Sequence, residues 1–525
     1  MPLDIFGDFG FVGADNTTAN PYQDRQQCIN FYPEISVSRD SKVAVSLLGC
    51  PGLNQLAGPT IPPLGANWPL PSTVTNLPVR GEWPLQGTTQ ALAVVANTCY
   101  LVTIATPATA SSLPVLALTK IGTLLTSVGP VSIRDNGIGG VAVIVDGPFG
   151  YYYVYGVGGA AVGPIGTFIQ ITDPAFLGAN RVAEIDGWWI FNQPGTQVFY
   201  TNSAPYSTVF AGSFFALKDS ATDLLMGVME SKEELWLPGE RTTEIWYDAG
   251  GAYFPFQRLV GTMLQVGCKA THSIARISKD GEDGLIWFGR SELGENLVIM
   301  TRGLNYQVVS TPAVSDAWAQ YPVTSDAIGY SYQEDGHVFY VLTFPTADAT
   351  WTFDASVPLE FAWTQRLSYD PYAQAFHRHR SNCCMNFAGM RVVGDYQNGA
   401  LYQLTRNAYT DAGWPILARR RAPHIWKRET RQRLFMASLQ VEFSPGVGTA
   451  TGIGATPVAQ LRISRNGGQS YGQQWPGYLG QMGDWLHRCI WRRLSFGRDN
   501  VVQVDVIGPH NRDIVGATLK ALGET

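Results

Sequence analysis

Four side chains close together could hold a metal: His377, His379, Cys383 and Cys384. On a strand the two histidines would share one face, and zinc accepts mixed His and Cys ligands. Structural zinc sites separate their cysteines by two or more residues, though, and adjacent ones rarely serve one tetrahedral ion. With Arg378 and Arg380 interleaved, the stretch reads as a polar strand and its loop, and no metal or other cofactor is expected. A second pattern, Gly468-Gln469-Ser470-Tyr471-Gly472, has the G-x-S-x-G spacing of a nucleophile elbow. That elbow needs a helix after the serine, and Gln473-Gln474-Trp475-Pro476-Gly477 cannot start one. Ser464 to Tyr471 instead has the look of an Asp-box hairpin, with Asn466 at the Asp position, so a turn is expected. Glu230, Glu233 and Glu234, then Asp280, Glu282 and Asp283, precede two apolar runs. Paired carboxylates on a propeller could hydrolyse glycosides. Acids before strands suit solvated loops better, and seven singly scattered histidines supply little acid–base machinery. No catalytic residue is expected, and no enzyme activity.

The strongest charge run is Arg419, Arg420 and Arg421 with Lys427, Arg428, Arg431 and Arg433. Such a run is either a solvated linker or a surface that docks an acidic partner or phosphates. It is taken here as a candidate docking surface, because a joint that seats against a partner often uses arginine. The run belongs to a wider asymmetry. From Pro415 onward, 13 Arg and 2 Lys stand against 7 acids, a balance of +8, whereas the chain as a whole carries −6. The remainder therefore holds −14, and two parts so differently charged suggest two different neighbours.

The elements that position these groups are short strands. The chain has 525 residues, 45% of them hydrophobic and only 15% charged, with 56 Gly and 32 Pro. That balance favours many turns and strands over helices. No stretch of 18 uninterrupted apolar residues offers a membrane span. Residues 1–10 lack a basic segment followed by an apolar core, so no secretory signal is expected. Seven scattered cysteines make no disulfide framework and fit folding in a reducing cytosol.

Apolar runs open at Leu92, Val141, Trp188, Leu235, Leu285, Val338 and Met390, at intervals of 47 to 53 residues. The clearest lies within Gly336–Asp354, where Val338 to Phe344 suits a strand buried on both faces and Thr350 to Asp354 answers it across a turn. A period near 50 with room for four strands is that of a propeller blade. Seven starts predict an all-β propeller of seven blades, with six as the alternative, over residues 81–414. Residues 1–80 read as an irregular segment holding a propeller-closing strand, and 58–84 as a Pro-rich extended loop. Residues 415–525 break the period and read as a β-sandwich or barrel.

Ser325 to Tyr332, then Gly336 to Thr346 and Thr350 to Asp354, resemble the packaged-DNA stabilisation proteins, the tail hubs or nozzles of short-tailed bacteriophages. Val393-Gly394-Asp395, Gly399 to Tyr402, Cys50 to Leu53 and Cys489 to Leu494 support the resemblance, which spans about residues 29 to 510. It implies a virion structural protein that folds in the host cytoplasm and assembles as a homo-hexamer below the portal and its adaptor ring. The ring would extend the DNA channel, retain the packaged genome, and seat a tail fibre or tailspike and a needle or plug. Double-stranded DNA would pass without sequence-specific contact or stable membrane insertion. A net-acidic propeller would repel phosphates, so an acidic channel lining would let the genome slide. The competing function is a glycan-binding or glycoside-hydrolysing propeller of the tail. Trp188, Trp189, Trp236, Trp246, Trp287 and Trp351 fall inside strands, which favours core packing over sugar contacts.

Overall fold

The computed structural model describes the chain except residues 1–3, 7–8, 39, 59–75, 110–111, 158–159, 162–165, 252–253, 428–431 and 524–525. Each of the seven apolar runs is the second strand of an antiparallel blade built on four strands: Ala91–Val95, Val141–Val145, Trp188–Asn192, Glu234–Pro238, Glu282–Arg290 (which also pairs with the short Gly267–Cys268), His337–Phe344 and Met390–Asp395. They define blades 1 to 7. The innermost strands are Val79–Pro84, Ser132–Asp135, Val182–Ile185, Met229–Ser231, Ala275–Lys279, Ile328–Glu334 and Ser381–Phe387. Each packs on the next in that order, blades 4 and 5 meeting through Glu230 and Arg276, and the last returns to the first, so the ring closes at seven.

Blade 7 takes its outer strand from the beginning of the chain. Gly52–Ala57 pairs antiparallel with Leu401–Thr405, with Leu53 opposite Leu404 and Asn54 opposite Gln403. The ends of the repeat are thus locked by a distant segment, which leaves no open blade edge at the seam.

Local chemistry explains the hairpins. Asp186-Gly187, Asp280-Gly281 and Asp335-Gly336 each join the first two strands of a blade with positive φ at both residues (52° and 82°, 55° and 78°, 51° and 88°). A two-residue turn of this type matches the twist of the strands it joins, and Asp-Gly is among the pairs that tolerate it. Apolar residues on both faces of each blade then meet the neighbouring blades, giving seven separate cores. Trp189, Trp236, Trp287 and Trp351 are buried in them. Between blades 5 and 6 the helix Pro312–Ala319 adds Trp318, whose ring lies 5.4 Å from Phe288 and 5.2 Å from Trp363. Thr311 caps that helix, accepting from the Val314 amide, and Pro312 opens it.

Two readings are corrected here. Val79–Pro84, assigned above to a polar loop, is the innermost strand of blade 1, with Val79, Arg80, Gly81 and Glu82 buried. The neighbouring blades bury its polar groups, which composition alone does not register. The segment before it is also less irregular than expected. Arg25–Ile29, Phe31–Ile35 and Val45–Gly49 are strands, because each completes a sheet whose other members lie near the far end of the chain. One such sheet joins 31–35, 45–49, 514–523, 434–443 and 489–497. The other continues blade 6 through Arg25–Ile29 into 417–421, 501–507, 458–464 and 475–478. Between them lies a core that includes Met436, Leu439, Leu461, Val504, Trp491 and Leu519. The sandwich is therefore built from both ends of the chain.

Candidate functional site: the propeller bore and the arginine strand

The arginine run splits when it folds. Leu417–Arg421 is an interior strand, between 25–29 and 501–507. Period-two alternation turns Arg420 inward with Ala418 and Ala422, and its exposure is 0%. There its Nε donates to the Phe11 carbonyl at 2.5 Å and its Nη1 to the Ala14 carbonyl at 2.8 Å. Arg419 holds Asp505 with two bonds, at 2.8 and 2.9 Å. Arg421 donates to Gln503 Oε1 at 3.1 Å and lies over the Tyr471 ring. The docking expectation is corrected at Arg420: a guanidinium sealed by carbonyls of the N-terminal segment meets no partner. Arg433 is exposed, its guanidinium 5.4 Å above Phe496, and Lys427 is half-buried. Arg428 and Arg431 lie outside the described residues.

Where propeller and sandwich meet, polar side chains fix the joint. Asn30, at φ 56°, donates to the Leu367 and Leu417 carbonyls, each at 2.8 Å. His337, on blade 6, is buried between two carboxylates: Nδ1 lies 2.6 Å from Asp354, and Nε2 contacts Glu34 on the sandwich strand 31–35. Burial opposes charging of this imidazole. The hydrogen bonds and charges of Asp354 and Glu34 outweigh it and raise His337 above its ordinary range.

The soft-ligand group comes apart. His377 Nδ1 sits 2.7 Å from Asp348, and His379 is buried with Nδ1 2.6 Å from Ser381 Oγ. Cys383 and Cys384 lie on the innermost strand of blade 7. Among the described residues no three His, Cys, Asp or Glu side chains converge as metal ligands would. Ser464 to Ser470 forms the expected turn. Ser464 Oγ accepts from the Gly468 amide at 2.8 Å, and Asn466 Oδ1 from the Ser470 amide at 3.0 Å.

Of the candidate carboxylates, only Glu230 enters the bore of the propeller. Arg134 of blade 2 donates to it at 3.2 Å, and Arg276 of blade 5 contacts the same oxygen. Arg134 also lies 4.3 Å over the Trp83 ring of blade 1. Glu233 and Asp280 stay exposed at hairpin turns, Asp283 is exposed on the strand Glu282–Arg290, and Glu282 pairs with Arg302 at 3.1 Å. The bore is thus bridged by side chains and rich in arginine. These groups were missed because 196 residues separate Arg80 from Arg276 (276 − 80). A signal existed all the same: Arg80, Arg134, Glu184, Glu230 and Arg276 recur at 46 to 54 residues. That is the blade period, carried by the innermost strands.

The family described as Bacteriophage P22 Gp10, beta-propeller, matches residues 93–409, more than half of the chain. The match runs from the second strand of blade 1 to just past the third strand of blade 7. The chain belongs to this family. Membership makes it a phage structural protein with a role in the tail and in stabilising packaged DNA, and gives no support to an enzyme. No curated protein matches it. Solved structures of similar shape include the AfRom2 CNH domain, 9% identical, which covers 67% of this chain and 99% of that one, with a TM-score of 0.34. Another is PorZ of Porphyromonas gingivalis, at 11%, 69% and 44%, with a TM-score of 0.36. A family 43 arabinoxylan arabinofuranohydrolase from Bacillus subtilis is 9% identical, covering 89% and 98%, with a TM-score of 0.25. Likeness this distant says nothing of what the phage protein does. Among the described residues no helix is long and apolar enough to cross a membrane.

Proposed function

We propose that this protein is the tail hub, or nozzle, of a short-tailed phage. In this reading six copies form a ring below the portal and its adaptor, extend the DNA channel and hold the packaged genome in. The ring also gives a fibre or tailspike and a needle or plug a place to attach. The family match over all seven blades carries the reading.

The structure supports a conduit wall better than a conduit. Arg134, Glu230 and Arg276 link blades 2, 4 and 5 across the bore, so no double helix passes through a single propeller. A DNA channel then has to lie between copies, which a ring provides. Rigidity suits that role. Every blade packs on two neighbours, the closing strand locks the seam, and the sandwich shares a sheet with blade 6. Of the described residues of the arginine run, exposed Arg433 and half-buried Lys427 are the ones left to face an acidic partner.

The test is a phage carrying a stop codon in this gene, grown on a non-suppressing host. Particles that package DNA and then lose it, regained when the chain is supplied in trans, are the expected outcome. Particles that keep their DNA and infect normally would remove the genome-retaining role.

A further inference from the structure

Two guanidinium groups in the bore converge on one sulfur. Arg134 Nη2 and Arg181 Nη2 each stand 3.3 Å from Met229 Sδ. A thioether is a weak acceptor, and two like charges brought to the same atom repel. Arg181 is only 8% exposed. Its Nη1 donates to the Thr271 carbonyl at 3.1 Å, while its Nε has no hydrogen-bond partner. Among the described residues no carboxylate reaches ion-pairing distance of Arg181. A buried cation without a counter-charge is costly, and each donor left over adds to that cost.

The surroundings do not neutralise it. The cavity here, about 240 Å³, is lined by Arg80, Arg134, Arg181 and Arg276 with a single carboxyl, Glu82; Glu230 sits behind it, held by Arg134 and Arg276. Burial pushes Glu82 up to about 8, so it keeps its proton at neutral pH. Burial, then Arg181 and Arg80, push the nearby His272 down to about 3, so it stays neutral. Arg80 spends its donors on the carbonyls of Ala96, Thr126, Val128 and Gly129, which leaves the guanidinium groups of Arg134, Arg181 and Arg276 to share the Glu230 carboxylate. At about 30 Å³ per water, the cavity has room for a small ion with several waters. It adjoins a second cavity of about 620 Å³ that shares Arg80, His272, Ile328 and Asn382 and gives a way in.

We propose that the bore between Arg134, Arg181 and His272 is a binding site for a small oxyanion, of the phosphate or carboxylate type. Its oxygens take the Nη2 donors now aimed at Met229 and the Nε of Arg181, making charge-assisted bonds to both guanidinium groups. The anion ties blades 2 and 3 together from inside the ring. The site is independent of the arginine strand and of any role in the tail.

The experiment is titration calorimetry of the full chain with inorganic phosphate and, separately, acetate, beside thermal unfolding in each salt against chloride at equal ionic strength. Saturable binding of one anion per chain, with a Tm that rises and levels off, is expected for at least one of the two. The one that binds names the source, free phosphate or a carboxylate. Arg181→Gln should weaken binding roughly tenfold or more. Should that variant fold poorly, Met229→Glu supplies a tethered carboxylate at the same place. It should raise Tm in chloride and abolish the response to added anion. The proposal is overturned if neither anion binds the folded chain saturably, or if Arg181→Gln binds as tightly as the parent. A Met229→Glu variant that still takes up the anion would overturn it too.

Discussion

Arg134 of blade 2 donates to Glu230 of blade 4 at 3.2 Å, reaching past the whole of blade 3. Both side chains are about nine-tenths buried, so the pair is screened little by solvent. Removing one member leaves the other charged and uncompensated. Glu230→Ala should lower stability by about 3 kcal/mol, read from urea unfolding followed by tryptophan fluorescence. A loss below about 0.5 kcal/mol, the range of an exposed pair, would mean that the bridge does not hold the bore.

The arginine strand predicts a contrast between neighbours. Arg420→Met strips the carbonyls of Phe11 and Ala14 of their buried donor and should cost about 3 kcal/mol. Arg433→Ser, on the surface, should stay within about 0.5 kcal/mol. Thermal unfolding of the two variants side by side makes the comparison. Equal, small effects would return Arg420 to the surface.

His337 makes the joint sensitive to pH. A group whose folded pKa is raised contributes stability below its unfolded value, and that contribution fades as pH rises through the folded value. Burial works against the rise, but Asp354 and Glu34 prevail. The stability gap between the parent chain and His337→Gln should therefore be widest near pH 6 and shrink toward pH 9. Chemical denaturation at several pH values measures it, and a gap that widens with pH contradicts the ion triad.

Closure by the N-terminal strand gives a fourth expectation. Leu53 is fully buried and pairs with Leu404 at the seam. Leu53→Ala should lose about 2–5 kcal/mol, with limited proteolysis cutting first between blades 7 and 1. Unchanged protease resistance would show that the ring does not depend on this strand.

Much of this architecture was legible in the sequence for a physical reason. A blade's second strand is covered on both faces, so it must be apolar, and Leu92, Val338 and their counterparts mark the blades one by one. Counting those runs favoured seven blades and left six open, and the closure of the innermost strands decides for seven. What could not be read depended on partners distant in the chain. Val79–Pro84 looks polar because Arg80 and Glu82 are buried by segments elsewhere in the chain, Arg80 against the carbonyls of Ala96, Thr126, Val128 and Gly129. Arg420 looks like surface charge because its acceptors, at Phe11 and Ala14, lie some 400 positions away. The sandwich looked C-terminal because strands 25–29 and 45–49 are too short to announce which sheet they complete. In the bore, the period of charged residues was present but masked by apolar neighbours, and the convergence on Met229 needs three blades at once.

The most direct measurement is immunogold labelling of intact particles from the source culture, with an antibody raised against this chain. Gold confined to one vertex, at the tail, is what a hub below the portal predicts. Label spread over the capsid, or absent from particles while the protein remains free in the lysate, would contradict the assignment.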